Sequence, residues 1–91
     1  MKSYYAYILL AKRTSKKNNG QWLFYTGFTD NPKRRLFEHR NRIKSNYMRI
    51  NKIAPIGFGY LEQFNNPNSA LKREQELKRL SYKNKLELCR L

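Results

Sequence analysis

Arg35, His39 and Arg42 follow one another at positions i, i+4 and i+7 of a segment with helical periodicity. That spacing places the three side chains on one face of a helix, which Leu36 and Ile43 border. The imidazole of His39, the only histidine in the chain, can titrate near neutral pH, and an arginine guanidinium can hold two phosphate oxygens. The stripe therefore predicts either a phosphate clamp with a titratable neighbour or a solvated basic face.

A second chemical feature is an acidic residue within an apolar stripe. At about 100° per residue, one side of a predicted helix gathers the residues Ala70, Leu71, Glu74 and Leu77. Glu76 projects from the opposite side. A carboxylate on a core-facing stripe is costly unless a cation pairs with it or it binds a metal. The position of Glu74 therefore predicts either a salt bridge to a Lys or Arg or a functional site.

Tyrosine is abundant in this chain, which has seven of them. Five lie in or near the first two predicted strands and their neighbours in sequence, at Tyr4, Tyr5, Tyr7, Tyr25 and Tyr47. Aromatic rings interleaved with cations can stack on nucleobases as well as fill a core. Alternation along a strand puts Tyr5 and Tyr7 on one face and Tyr4 on the other. For any single tyrosine, a half-buried strand position is the simpler interpretation.

The charge balance narrows the choice of partner. Twenty Lys and Arg residues against six Asp and Glu residues give a formal net charge of +14. A polyanionic partner would relieve the self-repulsion of such a domain, and nucleic acid, an anionic membrane or an acidic protein could supply it. A membrane-binding chain would need a basic amphipathic helix with a broad apolar face, whereas the cations here are spread along the whole chain. Nucleic acid is therefore the favoured partner, and we expect no membrane binding.

Composition also constrains the fold class and the compartment. With 91 residues, 40% of them apolar and 14% aromatic, we expect one folded domain over residues 1–91. The single cysteine, Cys89, excludes an intramolecular disulfide and a multi-cysteine zinc site. The N-terminal apolar run is too short for a signal peptide, and no segment approaches the length of a membrane span. We expect a soluble cytoplasmic protein, with nucleoid association as an option.

Three apolar runs predict strands. They span Tyr4 to Leu10, Trp22 to Phe28 and Ile56 to Phe64. A polar segment from Lys12 to Gly20 separates the first two, and Asn19-Gly20 is a strong hairpin-turn signal within it. Lys44 to Ala54 are ambiguous between a short helix and a basic loop, and we expect Pro55 to end that segment.

Capping signals predict three helices. Asn31 can cap a helix whose first position is Pro32 and which runs to about Ile43. The other two helices are expected from about Ser69 to Leu80 and, after a Ser81 cap, through Leu91. The element order is therefore β-β-α-β-α-α, which indicates a single domain of the α/β class in its α+β form.

Four segments together resemble the GIY-YIG nuclease domain. They are Tyr5-Ala6-Tyr7-Ile8-Leu9, Phe24-Tyr25-Thr26-Gly27-Phe28-Thr29, Pro32 through His39, and Ala70-Leu71-Lys72-Arg73-Glu74. The most specific part is the string Y-T-G-F-T-x-x-P-x-R-R-x-x-x-H, and the resemblance extends from Tyr4 to about Leu80. It implies a three-stranded antiparallel sheet flanked by helices. Three residues depart from the family motifs, namely Tyr5, Ala6 and Thr26. These changes affect packing more than chemistry.

The resemblance also implies a catalytic set. Tyr7 and Tyr25 match the tyrosines of the two motifs, Arg35 and His39 match the helical pair, and Glu74 matches the metal-binding glutamate. One Mg²⁺ or Mn²⁺ ion on Glu74 is chemically sufficient, because magnesium keeps several waters and needs few protein ligands. Tyr7 would take the proton of the attacking water, Arg35 would stabilise the added charge, and His39 and Tyr25 would orient or tune the base.

The function expected is divalent-metal-dependent cleavage of phosphodiester bonds, with DNA as the favoured substrate and without a small-molecule cofactor. Cations outside the site would hold the nucleic-acid backbone and make binding salt-dependent; they are Lys12, Arg13, Lys16, Lys17, Arg40, Arg42, Lys44 and Arg49. Backbone contacts carry little sequence information, so cleavage is expected to be structure-selective or non-specific. The alternative is a nucleic-acid-binding module of the same fold that is inactive or needs a protein partner.

Overall fold

A three-stranded antiparallel sheet forms the centre of the molecule. The computed structural model describes residues 2–13, 21–41 and 53–91. The strands are β1 (Tyr4–Arg13), β2 (Leu23–Thr29) and β3 (Ile53–Phe64). Their spatial order is β2-β1-β3, so β1 is the middle strand and pairs with both others. Residues 6–11 of β1 are all buried, as expected for a continuous apolar run covered on both faces.

In the part of the chain that the structure describes, three helices cover the sheet, and each begins at a side-chain cap. They are α1 (Pro32–Arg40), α2 (Pro67–Lys78) and α3 (Tyr82–Leu88). The caps are Asn31, Asn66 and Ser81, and each side-chain oxygen accepts a hydrogen bond from the backbone N–H three residues later. The order β-β-α-β-α-α and the α+β class are as predicted. Within the described ranges, no helix has the length and apolar character that a membrane crossing requires.

The two faces of the sheet carry different clusters. On one face, Ala6, Ile8 and Leu10 pack with Leu77 of α2 and with Leu88 of α3; we call this the α2 face. On the other, Tyr7, Leu9 and Ala11 pack with Ile53, Phe58 and Leu36 of α1; we call this the α1 face. Successive residues of a strand point to opposite faces, so β1 supplies both clusters by alternation.

The strand β3 begins earlier than its sequence indicates. It starts at Ile53 rather than Ile56, and Pro55 lies inside it instead of ending the preceding segment. A proline cannot donate to a β-ladder, but an edge strand tolerates it, particularly beside an irregularity. Pro55 meets both conditions, because β3 is an edge strand and its pairing with β1 shifts register between Leu10 and Ala11.

The helices also differ from prediction at their ends. Helix α1 ends at Arg40 rather than near Ile43, because the side-chain amide of Asn41 donates to the Phe37 carbonyl at 2.8 Å and closes the helix. Helix α2 begins two residues early, since Asn66 rather than a later residue caps it and Pro67 takes the first position. Helix α3 ends at Leu88, short of the predicted end at Leu91.

The remaining differences concern side-chain burial and the strand ends. Leu71, predicted in the apolar stripe, is 41% exposed, because the buried stripe of α2 is centred on Ala70 and Leu77. Strand β1 extends three residues beyond the predicted end, to Arg13, and β2 is displaced by one residue toward Thr29. The predicted turn at Asn19-Gly20 and most of the ambiguous 44–54 segment lie outside the described residues.

Candidate active site

The phenol of Tyr7 is the meeting point of strand β1 and helix α1. Tyr7 is only 2% exposed. Its oxygen accepts a hydrogen bond from Arg35 Nε at 3.1 Å and lies 3.3 Å from His39 Nε2. Tyr7 and the α1 residues are far apart in sequence, so the sheet-to-helix packing brings them together. The predicted pairing of Arg35 with His39 on one helix face is present, and the face is turned to the sheet.

Local structure fixes the position of α1 over Tyr7. The hydroxyl of Thr29, a buried residue at the end of β2, accepts a hydrogen bond from the Asn31 backbone at 3.1 Å. Asn31 in turn caps α1, so the helix begins at a defined distance from the strand. Phe58 of β3 packs edge-on against the Tyr7 ring, with centroids 5.1 Å apart. These contacts leave the Tyr7 ring little freedom to rotate away from the helix.

Gly27 makes room for the Tyr7 ring. The two residues are directly opposite in the β1–β2 pairing, and a methyl group added at Gly27 would overlap the phenol. Only glycine therefore fits beneath this tyrosine. The sequence analysis quoted Gly27 within a motif but gave it no role. The available signal was a glycine inside a strand, which often marks the close approach of another group.

The electrostatic setting keeps His39 neutral. Burial of the imidazole and the nearby Arg35 cation lower the pKa of His39 from 6.5 to about 4, although the Glu38 carboxylate acts in the opposite direction. A neutral imidazole can accept the Tyr7 hydroxyl hydrogen at Nε2 while Arg35 donates to the same oxygen. Among the described residues, His39 Nδ1 is a buried polar atom without a hydrogen-bond partner. The sequence analysis also missed Glu38, whose carboxylate lies 3.8 Å from Arg35 Nη1.

Tyr25 and Glu74 occupy different places relative to this cluster. Tyr25 is part-buried on β2 and packs against the α1 face, where it is paired with Leu9. Glu74 belongs to α2, the helix on the other face, and its side chain is only 13% exposed. Hydrogen-bond distances thus join Tyr7, Arg35 and His39. Tyr25 lies on the same face of the sheet, and Glu74 comes from the helix that packs on the other face.

The environment of Glu74 follows from its place on α2. Ala70 and Leu77 point into the core, and Arg73 on one flank of that stripe bonds Glu62 of β3 at 3.0 Å. Glu74 lies on the opposite flank, toward the β2 side of the sheet. Lys78 Nζ lies 3.7 Å from its carboxylate, so the predicted salt bridge is present. A partly buried carboxylate with one long ion pair keeps acceptor oxygens for a hydrated cation. Within the described ranges, no group of three or more His, Cys, Asp or Glu forms a ready-made metal site.

The cations predicted to bind nucleic acid have varied surroundings. Lys12 lies over the Trp22 ring, with Nζ 4.2 Å from the centroid. Arg40 is exposed and donates to the Ile56 carbonyl at 2.8 Å, and Arg13 is exposed at the end of β1. The other members of the predicted set lie outside the described residues, namely Lys16, Lys17, Arg42, Lys44 and Arg49.

Comparisons with known proteins identify the family of this chain. Residues 3–87 match the family described as the GIY-YIG catalytic domain. A UPF0213 protein of Enterococcus faecalis is 36% identical over 84 residues, which cover 92% of this chain and 86% of that protein. A UPF0213 protein of Staphylococcus saprophyticus is 33% identical over 88 residues, covering 97% and 95% of the two chains.

One solved structure is also similar. The solution NMR structure of a UPF0213 protein from Bacillus halodurans matches with a TM-score of 0.47 and 29% identity, covering 94% of this chain and 81% of that one. The family match spans nearly all of the chain, including every residue of the Tyr7, Arg35 and His39 cluster. This chain therefore belongs to the GIY-YIG family of nuclease domains.

Proposed function

We propose that this protein is a divalent-metal-dependent endonuclease that hydrolyses phosphodiester bonds in DNA, with selection by structure rather than by sequence. The observation that carries the proposal is the buried Tyr7 hydroxyl, which an arginine and a neutral histidine contact together in a GIY-YIG domain. A buried tyrosine that serves only packing needs one hydrogen-bond partner to satisfy its hydroxyl. A phenol that must take up and pass on a proton needs both of them.

The proton acceptor in this proposal is Tyr7. The water oxygen forms a bond to phosphorus while the bond from phosphorus to the leaving strand oxygen breaks. One water proton passes to the Tyr7 oxygen, the Tyr7 hydroxyl proton passes to His39 Nε2, and solvent protonates the leaving oxygen. An incoming phosphodiester adds negative charge, which raises the pKa of His39 from about 4 and makes it a better acceptor.

Arg35 has two tasks in the same step. Its Nε–H stabilises negative charge on the Tyr7 oxygen as the proton moves. Its side chain is 29% exposed, so the remaining N–H groups can reach a phosphate oxygen. A guanidinium presents several donors in one plane, whereas a lysine would supply a single point charge. Arg35 therefore links the base to the charge that develops on phosphorus.

Glu74 is the residue proposed to hold one Mg²⁺ or Mn²⁺ ion. Its partly buried carboxylate suits a hard cation that keeps most of its water shell. When bound, such an ion would supply positive charge to phosphate oxygens and to the leaving group of a strand that crosses the sheet at its β2 edge, which both the α1 face and Glu74 can reach. Lys78, at 3.7 Å, balances the carboxylate in the free protein. The surplus of cations across the chain would then hold the strand backbone, with binding that weakens steeply as salt rises.

Cleavage of a labelled substrate panel tests the proposal. The panel contains single-stranded, duplex, flap and four-way-junction DNA together with RNA, each incubated with Mg²⁺, Mn²⁺ or EDTA. We expect metal-dependent cutting that Glu74→Ala abolishes. Glu76→Ala is the matched control, because Glu76 is exposed on the same helix and should leave cutting unchanged.

Two results would contradict the endonuclease. Cutting that survives in both EDTA and Glu74→Ala would remove the metal and its ligand from the mechanism. Tight binding of the panel with no cutting by the wild-type protein would instead favour a binding module that is inactive or needs a partner protein.

A further inference from the structure

A cleft beside the Tyr7 cluster is not used by the hydrolysis described above. It has a volume of about 600 Å³, within the range typical of small-ligand sites. Its apolar walls are Tyr5, Pro32 and Leu61, and its polar residues include Lys2, Asp30 and Lys33. Tyr5 is on the α1 face, two residues from Tyr7 on the same strand. The cleft therefore opens at the start of α1, on the face that carries the candidate active site.

Leu61 connects the cleft to the catalytic cluster. It is paired with Tyr7 across the β1–β3 ladder and is 43% exposed. Directly paired residues of an antiparallel sheet have Cβ atoms about 5 Å apart, so the Tyr7 ring and the cleft wall are neighbours. Leu61 lies on the edge strand β3, near Tyr5 and the buried Tyr7. Its exposed side chain gives the cleft an apolar wall beside the candidate active site. An occupant of the cleft would lie beside the phosphate being cut.

The charges around the cleft indicate what kind of occupant fits. Lys2 Nζ and Arg34 Nη2 neutralise the Asp30 carboxylate at 2.9 and 3.0 Å. Lys33 is exposed at the rim, and the side chain of Lys2 is 65% exposed. The surroundings therefore attract phosphate, while Asp30 offers oxygens to N–H groups at the edge of a ring. An apolar floor, a hydrogen-bonding edge and a cationic rim complement a nucleobase and its phosphate.

We propose that this cleft binds one unpaired nucleobase of the substrate strand, stacked on Tyr5, next to the phosphodiester that is cut. The proposal rests on the endonuclease proposed above and names the feature of the substrate that it selects. A base inside a continuous duplex must be unstacked and unpaired before it can enter, whereas a base in a single strand, flap or junction is already available. The cleft would therefore select for unpaired nucleotides without reading sequence.

A binding experiment tests this inference without relying on cleavage. The probes are fluorescent hairpins with a single-stranded overhang, in DNA and in RNA versions of the same sequence, and the junction fixes their register. One overhang position at a time is made abasic, and affinity is measured by fluorescence anisotropy in EDTA. Base–aromatic stacking is sequence-tolerant, and loss of one stack should weaken binding roughly fivefold or more.

We expect one overhang position at which removal of the base weakens binding to the wild-type protein. Tyr5→Phe should keep this position-dependent loss, because the ring remains. Tyr5→Leu should abolish it, because apolar bulk alone does not stack. Tyr4→Leu is the matched control, since Tyr4 lies on the α2 face against Phe28 and should leave the pattern unchanged. Thermal melting of each variant verifies that it is folded.

The inference is overturned if every abasic position binds the wild-type protein equally, or if Tyr5→Leu retains the position-dependent loss. A position-dependent loss of affinity seen with only the DNA probes, or only the RNA probes, identifies which of the two nucleic acids the cleft accepts. Because no metal is present, the result is independent of the cleavage panel. If Glu74→Ala failed to stop cutting, the proposed nuclease mechanism would be wrong, but the binding result for Tyr5 would be unaffected.

Discussion

The two faces of the sheet use neighbouring residues of one strand for opposite purposes. On the α2 face, Ile8 is fully buried among apolar side chains. On the α1 face, Tyr7 is almost equally buried, at 2% exposure, but it contacts an arginine and a histidine. Burial therefore does not distinguish the core from the candidate site. The difference is the covering helix, because α2 brings Leu77 to the sheet whereas α1 brings hydrogen-bonding groups.

The comparison explains why this strand tolerates little change in register. A one-residue shift in the pairing of β1 would move every side chain to the other face. Tyr7 would then lie under α2, where its hydroxyl would lack Arg35 and His39, and Ile8 would lie against two polar groups. The site and the core are therefore specified together.

The largest effect on the cleavage rate should come from removing the Tyr7 hydroxyl on the α1 face. Tyr7→Phe should lower the cleavage rate at least about a hundredfold, because it removes the proposed proton acceptor while keeping the ring. Tyr4→Phe, which removes a hydroxyl on the α2 face, should leave the rate unchanged. Initial rates on the preferred substrate of the panel measure both. Full activity of Tyr7→Phe would exclude the proton-acceptor role and make His39 the next candidate.

A substitution on the α2 face should lower stability and leave the cleavage rate unchanged. Ile8→Ala should lower the free energy of unfolding by about 2–5 kcal/mol, since it leaves a cavity among well-packed side chains. Its cleavage rate per folded molecule should stay close to that of the wild type. Urea denaturation gives the stability, and rates measured well below the unfolding midpoint give the activity. An Ile8→Ala protein that is fully stable but inactive would contradict the division between the faces.

Gly27 offers a smaller perturbation of the α1 face. Gly27→Ala places a methyl group against the Tyr7 ring and should cost about 1–3 kcal/mol of stability through overpacking. It should also slow cleavage, because the phenol must move away from Arg35. Gly57→Ala is the matched control, since a methyl group at Gly57 meets no atom within 4 Å among the described residues. Equal effects of the two substitutions would argue against a role for the close approach.

The titration of His39 should be visible in stability. Its pKa is about 4 when folded and near 6.5 when unfolded, so the unfolded chain binds the proton first as pH falls. Stability from this group is therefore complete above about pH 7 and is lost as pH falls from 6.5 toward 4, by about 2 kcal/mol between pH 7.5 and 5. His39→Gln should lack that component of the pH dependence. Urea titrations at several pH values compare the two proteins, and parallel curves would contradict the neutral, buried histidine.

Features set by local spacing could be predicted from the sequence. The order of elements, the caps at Asn31 and Ser81, and the shared face of Arg35 and His39 all depend on residues within a few positions of one another. Such neighbours meet whatever the rest of the chain does. The alternation of Tyr5 and Tyr7 relative to Tyr4 belongs to the same class.

Features set by pairing between distant segments could not be predicted in this way. Pro55 is accommodated because β3 is an edge strand with an irregular register, and neither property is visible near Pro55 in sequence. The role of Gly27 depends on its being opposite Tyr7. The sequence pattern marked Glu74 as partly buried but could not show that its helix covers the opposite face from Tyr7. The catalytic roles of Tyr7, Tyr25, Arg35, His39 and Glu74 stay predictions for the experiments above.

The central position of β1 has a consequence for how the chain folds during synthesis. This strand precedes both of its partners in sequence, yet it needs both to satisfy its backbone. Its contacts with β3 span most of the chain, and such distant contacts form late in folding. In the interval, the most apolar strand has one open edge that could recruit another nascent chain. We therefore expect losses during production to arise before β3 docks. A lower concentration of nascent chains or more chaperone capacity should then raise the yield more than added stability would.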